Sequence, residues 1–312
     1  MSVQPVVVLT EAIAPDAMRT LAETCDVRIA AHPTGDAARA ALADADAVIV
    51  RSTPFGADLI DAAPRLRVIG RHGAGTENID ADAASLRGIP IVNTPGANAD
   101  SVAEFTVMTT LMALRRVLPV RDDFLAGSLG DGSLPGALSR SGRIGSMLAR
   151  RRVGVVGFGA IGRRVAALCE AFGAEVTFAD PYGPQDDPRA RDLATLVAGS
   201  DVLTLHTPVT PETRGFLNAA LLASAPRGLV VVNAARAEVV DADAMLAALD
   251  SGQVASYAVD VWDPEPPRSD DPLLRHPSVI ATPHMAAITH DALAAMSAEV
   301  AARVLHTLKE TS

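Results

Sequence analysis

Arg236, Asp260, Glu265 and His284 are the side chains whose types and spacing suggest chemistry. Arg236 closes Asn233-Ala234-Ala235-Arg236, at the end of the apolar run Leu229–Asn233. Asp260 and Glu265 come with the next such run, in Asp260-Val261-Trp262-Asp263-Pro264-Glu265-Pro266-Pro267, and His284 follows the one after, in Thr282-Pro283-His284. Each run reads as a buried strand. Successive strand ends therefore offer a guanidinium, a carboxylate and an imidazole. In open α/β sheets, ligands gather at the carboxyl ends of strands. These are the groups that hydride exchange at a 2-keto acid requires. A cation forks the carboxylate, an acid protonates the carbonyl oxygen, and a carboxylate supports the charged imidazole.

A second constellation fits the same chemistry. Val153–Val156 runs into Gly157-Phe158-Gly159-Ala160-Ile161-Gly162, which opens a helix expected over Ile161–Phe172. The next strand, Glu175–Ala179, leads to Asp180, 18 residues beyond Gly162. Glycine turn, helix and acidic residue together form a dinucleotide fingerprint. Gly157 permits the tight turn, Gly159 lets a pyrophosphate approach the backbone, and Gly162 lets helix and strand pack closely. The helix N-terminus offers unpaired amides to the anion. Asp180 would accept hydrogen bonds from ribose hydroxyls and repel a 2′-phosphate. Pro181 and Tyr182 follow it, with no adjacent Arg, so NAD is expected over NADP.

The other histidines divide by context. His206, in Leu205-His206-Thr207-Pro208, ends a strand and is expected to line the cofactor groove. His72 sits on a glycine loop and is a rival proton donor; His32, His276, His290 and His306 read as surface residues. No His/Cys/Asp/Glu cluster has metal-ligand spacing, so no metal is expected.

The elements that must position these groups alternate along the chain. Pro5–Leu9, Ala47–Val50, Leu66–Ile69 and Ile89–Val92 read as strands, with Ala-rich helical segments such as Ala37–Ala43 and Ala81–Leu86 between. Ser101-Val102-Ala103-Glu104 reads as a capping box opening a helix to about Leu118. Ala126–Ser146, rich in Gly and Ser, reads as an irregular excursion. A second series follows, with strands at Val153–Val156, Glu175–Ala179, Val202–His206, Leu229–Asn233, Ala255–Val261 and Val279–Ala281. A helix over Asp291–Leu308 closes the chain. Strand and helix in alternation imply right-handed crossovers and parallel sheets, hence an α/β fold with doubly wound domains. Arg51 and Arg71 come at the ends of strands in the first series. With Arg236 serving the reacting carboxylate, they suggest a second anionic group on the substrate, such as a phosphate.

Composition narrows the classes. The chain has 312 residues, about two domains' worth. Thirty-seven acidic against 27 basic residues leave a net charge of −10, which argues against a general nucleic-acid binder. The only cysteines, Cys25 and Cys169, rule out a disulfide framework. The N-terminal segment lacks the basic start of a secretory signal, and no apolar run reaches the roughly 18 residues of a membrane span. A soluble, cytoplasmic protein is expected.

These segments are similar to the D-isomer-specific 2-hydroxyacid dehydrogenases over essentially the whole chain. The likeness is carried by Arg71-His72-Gly73-Ala74-Gly75-Thr76-Glu77-Asn78-Ile79-Asp80, Ser101–Glu104, the glycine turn, Leu205–Pro208, Asn233–Arg236, Asp260-Val261 with Glu265-Pro266, and Thr282–His284. The resemblance implies a Rossmann-type cofactor domain over 101–284, inserted in a flavodoxin-like substrate domain built from 1–100 and 285–312. It implies NAD as cofactor, a small 2-hydroxy or 2-keto acid as substrate, and homodimers formed through the cofactor domain. It makes Arg236 the ligand of substrate carboxylate and carbonyl, His284 the general acid/base and Glu265 its partner. Ala160, Ile161, Asp180, Thr207, Ala234 and Ala235 would contact the cofactor, Pro208 would stand beside them, and Asp260 would lie close to the cofactor amide. Gly73, Ala74 and Gly75 would offer backbone amides to the substrate. Within the family the chain looks most like phosphoglycerate dehydrogenase-type members, where Arg51 and Arg71 stand at positions of cations for a distal phosphate. Glyoxylate or hydroxypyruvate reduction is the alternative within the family. An NAD-sensing binding protein of the same fold is the alternative outside catalysis, and formate oxidation is disfavoured by Glu265. Ala237 stands where the family usually has glycine, so backbone strain is expected there. The Ala126–Ser146 segment also departs from the family's usual pattern.

Overall fold

Val6–Leu9 (β1) and Ala47–Val50 (β3) are buried at every residue, as apolar runs covered on both faces of a parallel sheet should be. They pair side by side, and Asp26–Ile29 (β2), Val68–Arg71 (β4) and Ile91–Val92 (β5) complete a five-stranded parallel sheet in the order β2-β1-β3-β4-β5. This is the flavodoxin-like order. The computed structural model describes residues 4–310. Residues 1–3 and 311–312, the outer ends of the spans assigned from sequence, lie outside the described residues. The closing helix His290–Glu310 packs on one face of this sheet. Gly70 in β4 permits its approach: a Cβ there would lie 2.6 Å from Val304 and 2.9 Å from Val300.

The second sheet contains Arg152–Val156 (β6), Glu175–Ala179 (β7), Val202–Leu205 (β8), Leu229–Asn233 (β9), Val254–Val259 (β10) and Val279–Ala281 (β11). All pairings are parallel, in the order β11-β10-β9-β8-β6-β7. Outside β7, Phe178 makes one further parallel bridge to Ala190. Counting that bridge as a shrunken strand restores the Rossmann order. The winding reverses between β6 and β8, which places the glycine turn at the switch point.

The chain forms two compact units, residues 1–101 with 287–312, and residues 102–286. The crossings fall one and two residues later than 100/101 and 284/285, and His284 belongs to the inner unit. No described helix is long and apolar enough to cross a membrane.

Several elements differ from the sequence reading. The helix assigned from Ser101 starts at Ala99, so Ser101 sits inside the first turn and is not its N-cap. That helix ends at Leu114 and a second covers Val117–Leu125, with Arg116 between them at φ +53°. Pro119 accounts for the break. In a continuous helix its ring would strike the Arg115 carbonyl, whatever the apolar periodicity favours. Within Ala126–Ser146, Leu134–Arg140 is helical, with Pro135 in its first turn. Ala237 has no positive φ; it opens a short 3-10 turn, Ala237–Val239, so the expected strain is absent.

Candidate active site

The glycine turn is shaped by what its neighbours exclude. Gly157 has φ +88°, and a Cβ there would overlap the His206 carbonyl. A Cβ at Gly162 would overlap the Gly157 carbonyl, whereas at Gly159 nothing lies within 4 Å. Two glycines are thus demanded by packing, and the third leaves the backbone open. The helix Ala160–Ala171 starts here, with Ala160 exposed and Ile161 half-buried. Asp180 accepts the Phe158 amide at 2.6 Å on Oδ2 and the Tyr182 amide at 2.8 Å on Oδ1. Its carboxylate is therefore fixed beside the turn. An open backbone at a helix N-terminus, next to a fixed carboxylate, fits a dinucleotide.

His206 follows β8. Both of its ring nitrogens are buried without a hydrogen-bond partner, and burial pushes its pKa down to about 3. The imidazole is thus a neutral polar group facing no protein donor or acceptor. Thr207 is half-buried and Pro208 exposed. Ala234 and Ala235, half-buried, follow β9.

The buried Asn233 at the end of β9 organises the arginine loop. Its Nδ2 donates to the Arg236 carbonyl at 2.8 Å, and its Oδ1 accepts the Ala235 amide at 3.0 Å. Arg236 is extended (φ −148°, ψ 144°) and half-buried, and its Nη1 donates to the Ala235 carbonyl at 2.7 Å.

After β11, His284 Nδ1 lies 2.9 Å from Glu265 Oε2 and 3.0 Å from Oε1. Both side chains remain accessible, 49% and 43% exposed. With Nδ1 engaged, Nε2 is the ring atom left to meet a substrate. The backbone at His284 is left-handed, φ +53°. Asp260, buried at the end of β10, accepts the Thr282 hydroxyl at 2.6 Å and the Met285 amide at 2.9 Å on Oδ1, and the Ala286 amide at 2.8 Å on Oδ2. Glu265 and His284 are thus in direct contact, and Asp260 is tied to the same loop.

The remaining candidates lie in the first unit. Arg51 follows β3 and Arg71 ends β4. Asn78 joins the two segments: its Oδ1 accepts Arg71 Nε at 2.9 Å, and its Nδ2 donates to the Thr53 carbonyl at 2.8 Å. Arg71 also donates to the His72 carbonyl. Gly73 has φ +145°, where a Cβ would meet the Arg71 guanidinium at 2.5 Å. Ala74 is exposed and Gly75 half-buried. Glu11 holds the loop after β3, accepting from the amides and hydroxyls of Ser52 and Thr53.

His72 does not suit proton transfer. It is 4% exposed, and its Nε2 lies 2.9 Å from Ser297 Oγ. That hydroxyl gives its proton to the Leu293 carbonyl and accepts the Ala14 amide, so His72 Nε2 is the donor. Burial, and then the Arg51 charge, lower its pKa. Among the described residues, no group of three or more His, Cys, Asp or Glu is placed to hold a metal ion. Asn233, Thr282 and Asn78 escaped the sequence reading because neutral side chains there carry no signal of chemistry. Asn233 and Thr282 are marked only by their position beside a strand end, whereas Asn78, seven residues past β4, lacks even that.

Comparison with known proteins agrees with this geometry. Residues 107–286 match the family model described as D-isomer specific 2-hydroxyacid dehydrogenase, NAD binding domain. The D-3-phosphoglycerate dehydrogenase of Mycobacterium tuberculosis is 37% identical over 306 residues, covering 96% of this chain and 56% of that protein. The chain thus spans little more than half the length of this curated relative. The TT0316 protein of Thermus thermophilus superposes with a TM-score of 0.87 at 29% identity, covering 98% of this chain and 97% of that one. A glyoxylate reductase from Paecilomyes thermophila gives 0.82 at 26% identity, covering 99% and 97%. With a family model matched across the whole inner unit's sheet and both loops that carry Arg236 and His284, the chain belongs to the D-isomer specific 2-hydroxyacid dehydrogenase family.

Proposed function

We propose that this chain is an NAD-dependent oxidoreductase acting between a D-2-hydroxy acid and its 2-keto acid, with 3-phosphoglycerate and 3-phosphohydroxypyruvate as the favoured pair. The observation that carries the reaction class is the His284–Glu265 contact, which leaves Nε2 free at a strand end. NAD, when bound, supplies the hydride donor or acceptor. Gly157, Gly159, Ala160, Ile161 and Gly162 would hold its pyrophosphate, Asp180 its ribose, and Thr207, Pro208, Ala234 and Ala235 would line its path. Arg236 forks the substrate carboxylate and polarises the carbonyl. His284 gives a proton from Nε2 to the carbonyl oxygen in reduction and takes it back in oxidation. Glu265 orients the ring through Nδ1. Gly73, Ala74 and Gly75 present backbone amides to the carboxylate.

Two supports favour the phosphorylated pair: the name of the relative at 37% identity, and Arg51 and Arg71 at neighbouring strand ends. A second reading, reduction of unphosphorylated hydroxypyruvate or glyoxylate, is favoured by Arg71 itself. Its Nε is taken by Asn78, and it donates to the His72 carbonyl. Turnover of 3-phosphohydroxypyruvate, hydroxypyruvate and glyoxylate with NADH decides between them. In the favoured reading Arg71→Ala costs roughly 10- to 100-fold in kcat/KM on the phosphorylated substrate and little on hydroxypyruvate. Equal losses, or a wild-type preference for hydroxypyruvate, sink it.

The same proposal includes a homodimer through the inner unit and a cytoplasmic setting. Large apolar side chains are exposed within residues 108–147, among them Phe124 (56%), Leu125 (67%), Leu134 (57%), Ile144 (65%) and Met147 (69%). Such exposure suits burial against a second copy. Light scattering that returns a monomer refutes it. The free, buried Cys25 and Cys169 suit a reducing compartment.

A further inference from the structure

Asp260 is 1% exposed, and the hydrogen bonds its carboxylate accepts come from the segment that carries His284. A buried carboxylate is costly unless hydrogen bonds replace its water. Here Thr282 Oγ1, the Met285 amide and the Ala286 amide take three of about four acceptor positions. The donors flank His284 on both sides. The residue between them bends into the left-handed region at φ +53°, which L residues avoid. The entry to the bend is pinned as well. The Thr282 amide donates to the Val259 carbonyl at 3.0 Å, and Trp262 Nε1 donates to the Thr282 carbonyl at 2.9 Å. The Asp260 amide donates to the Asn233 carbonyl at 3.0 Å, which links this anchor to the loop of Arg236.

We propose that Asp260 is the positioning residue for His284, its carboxylate holding segment 282–286 in the bend that presents the imidazole to Glu265 and to substrate. The holding is a property of the fold; only its kinetic consequence rests on His284 being the proton donor. A contact with the cofactor amide would draw on the one acceptor position that remains.

Asp260→Asn keeps the shape and puts an amide group where backbone donors point. Thr282→Val removes one donor and keeps the carboxylate, so it serves if the first variant fails to fold. Hydrogen exchange of the Met285 and Ala286 amides is the primary measurement, with fluorescence of Trp262, the sole tryptophan, as a second report on the loop. Exchange at those amides is expected to quicken about 10-fold or more in Asp260→Asn, as befits a lost charge-assisted bond, with β6 and β8 unchanged. Thr282→Val moves the same way, and Thr282→Ser rescues it. In turnover, kcat falls roughly 10- to 100-fold, while the Kd for NADH stays within about threefold of wild type. Unchanged exchange in both variants overturns the proposal. Exchange rates that hold while the Kd for NADH weakens in step with kcat and discrimination between NADH and its 3-acetylpyridine analogue is lost assign Asp260 to the carboxamide alone. A wild-type chain inactive on every 2-keto acid defeats the proposed function, while the exchange rates still decide the positioning role.

Discussion

Asp180 Oδ2 accepts the Phe158 amide at 2.6 Å, so the residue ending one strand holds the turn that ends its neighbour. In the proposed function this carboxylate receives the ribose, and its charge opposes a 2′-phosphate. Two cations lie over the Phe158 ring: Arg189 is engaged by Asp187 at 2.8 Å and Glu170 at 2.7 Å, and Arg163 donates from Nε to the Phe158 carbonyl at 2.8 Å. We expect kcat/KM with NADH to exceed that with NADPH by about 100-fold or more, since like charges at contact cost several kcal/mol. Asp180→Ala should narrow the gap. Equal values for both cofactors in the wild type would remove Asp180 from cofactor selection.

His284→Ala is expected to lower kcat by roughly 10²–10⁴, the range for loss of a general acid. Glu265→Gln keeps a partner for Nδ1 but no charge, so its loss should be smaller. Steady-state rates on the preferred keto acid check both. An active His284→Ala enzyme would mean that the proton comes from elsewhere, and the buried, donating His72 is not that source.

The glycines of the turn should separate stability from binding. Gly162→Ala drives a Cβ into the Gly157 carbonyl, a backbone atom that cannot swing away. Such overpacking costs about 1–3 kcal/mol, read as a fall of several degrees in Tm. Gly159→Ala meets open space and lies at φ −75°, so Tm should hold while affinity for NADH drops, because the new methyl occupies the pyrophosphate's approach. Equal Tm losses in the two variants would contradict the packing account.

His206 should make stability pH-dependent. Its pKa is about 3 in the fold against an ordinary 6.5. Below 6.5 the unfolded chain takes a proton that the folded chain refuses. Stability is therefore full above about pH 6.5 and declines as pH falls toward 3, by up to about 1.4 kcal/mol per pH unit. Urea unfolding at pH 7 and pH 5 measures the slope. His206→Gln should flatten it, and an unaltered slope in that variant would acquit this residue.

What the sequence revealed followed from burial. Strands such as Leu229–Asn233 and Ala47–Val50 stand as read, because continuous apolar runs bounded by turn residues have few other uses in an alternating chain. Strand β2 went unread because Asp26-Val27-Arg28-Ile29 is a half-exposed edge, with Arg28 drawn into ion pairs with Asp26 and Asp44. Charged and apolar residues mix there as they do in a loop. At the candidate site, Arg236, Glu265 and His284 stand out in the sequence because charge at a strand end is conspicuous, and the structure brings Glu265 and His284 into contact. The hydrogen bonds of Asn233 and Asp260 were not, since they depend on how each chain folds back after its strand. The left-handed backbone falls on His284 rather than on Ala237, and residue type does not reveal that.

The closing helix His290–Glu310 fills the face of a sheet whose strands were synthesised some 200 residues earlier, with Val300 and Val304 against Gly70. Residues 102–286 are contiguous and can fold as soon as they emerge. The first hundred residues must wait for the last helix, carrying an uncovered apolar sheet until the chain returns. During biogenesis, therefore, the first hundred residues are the part left in need of chaperone protection, and loss of the helix His290–Glu310 would harm their sheet first.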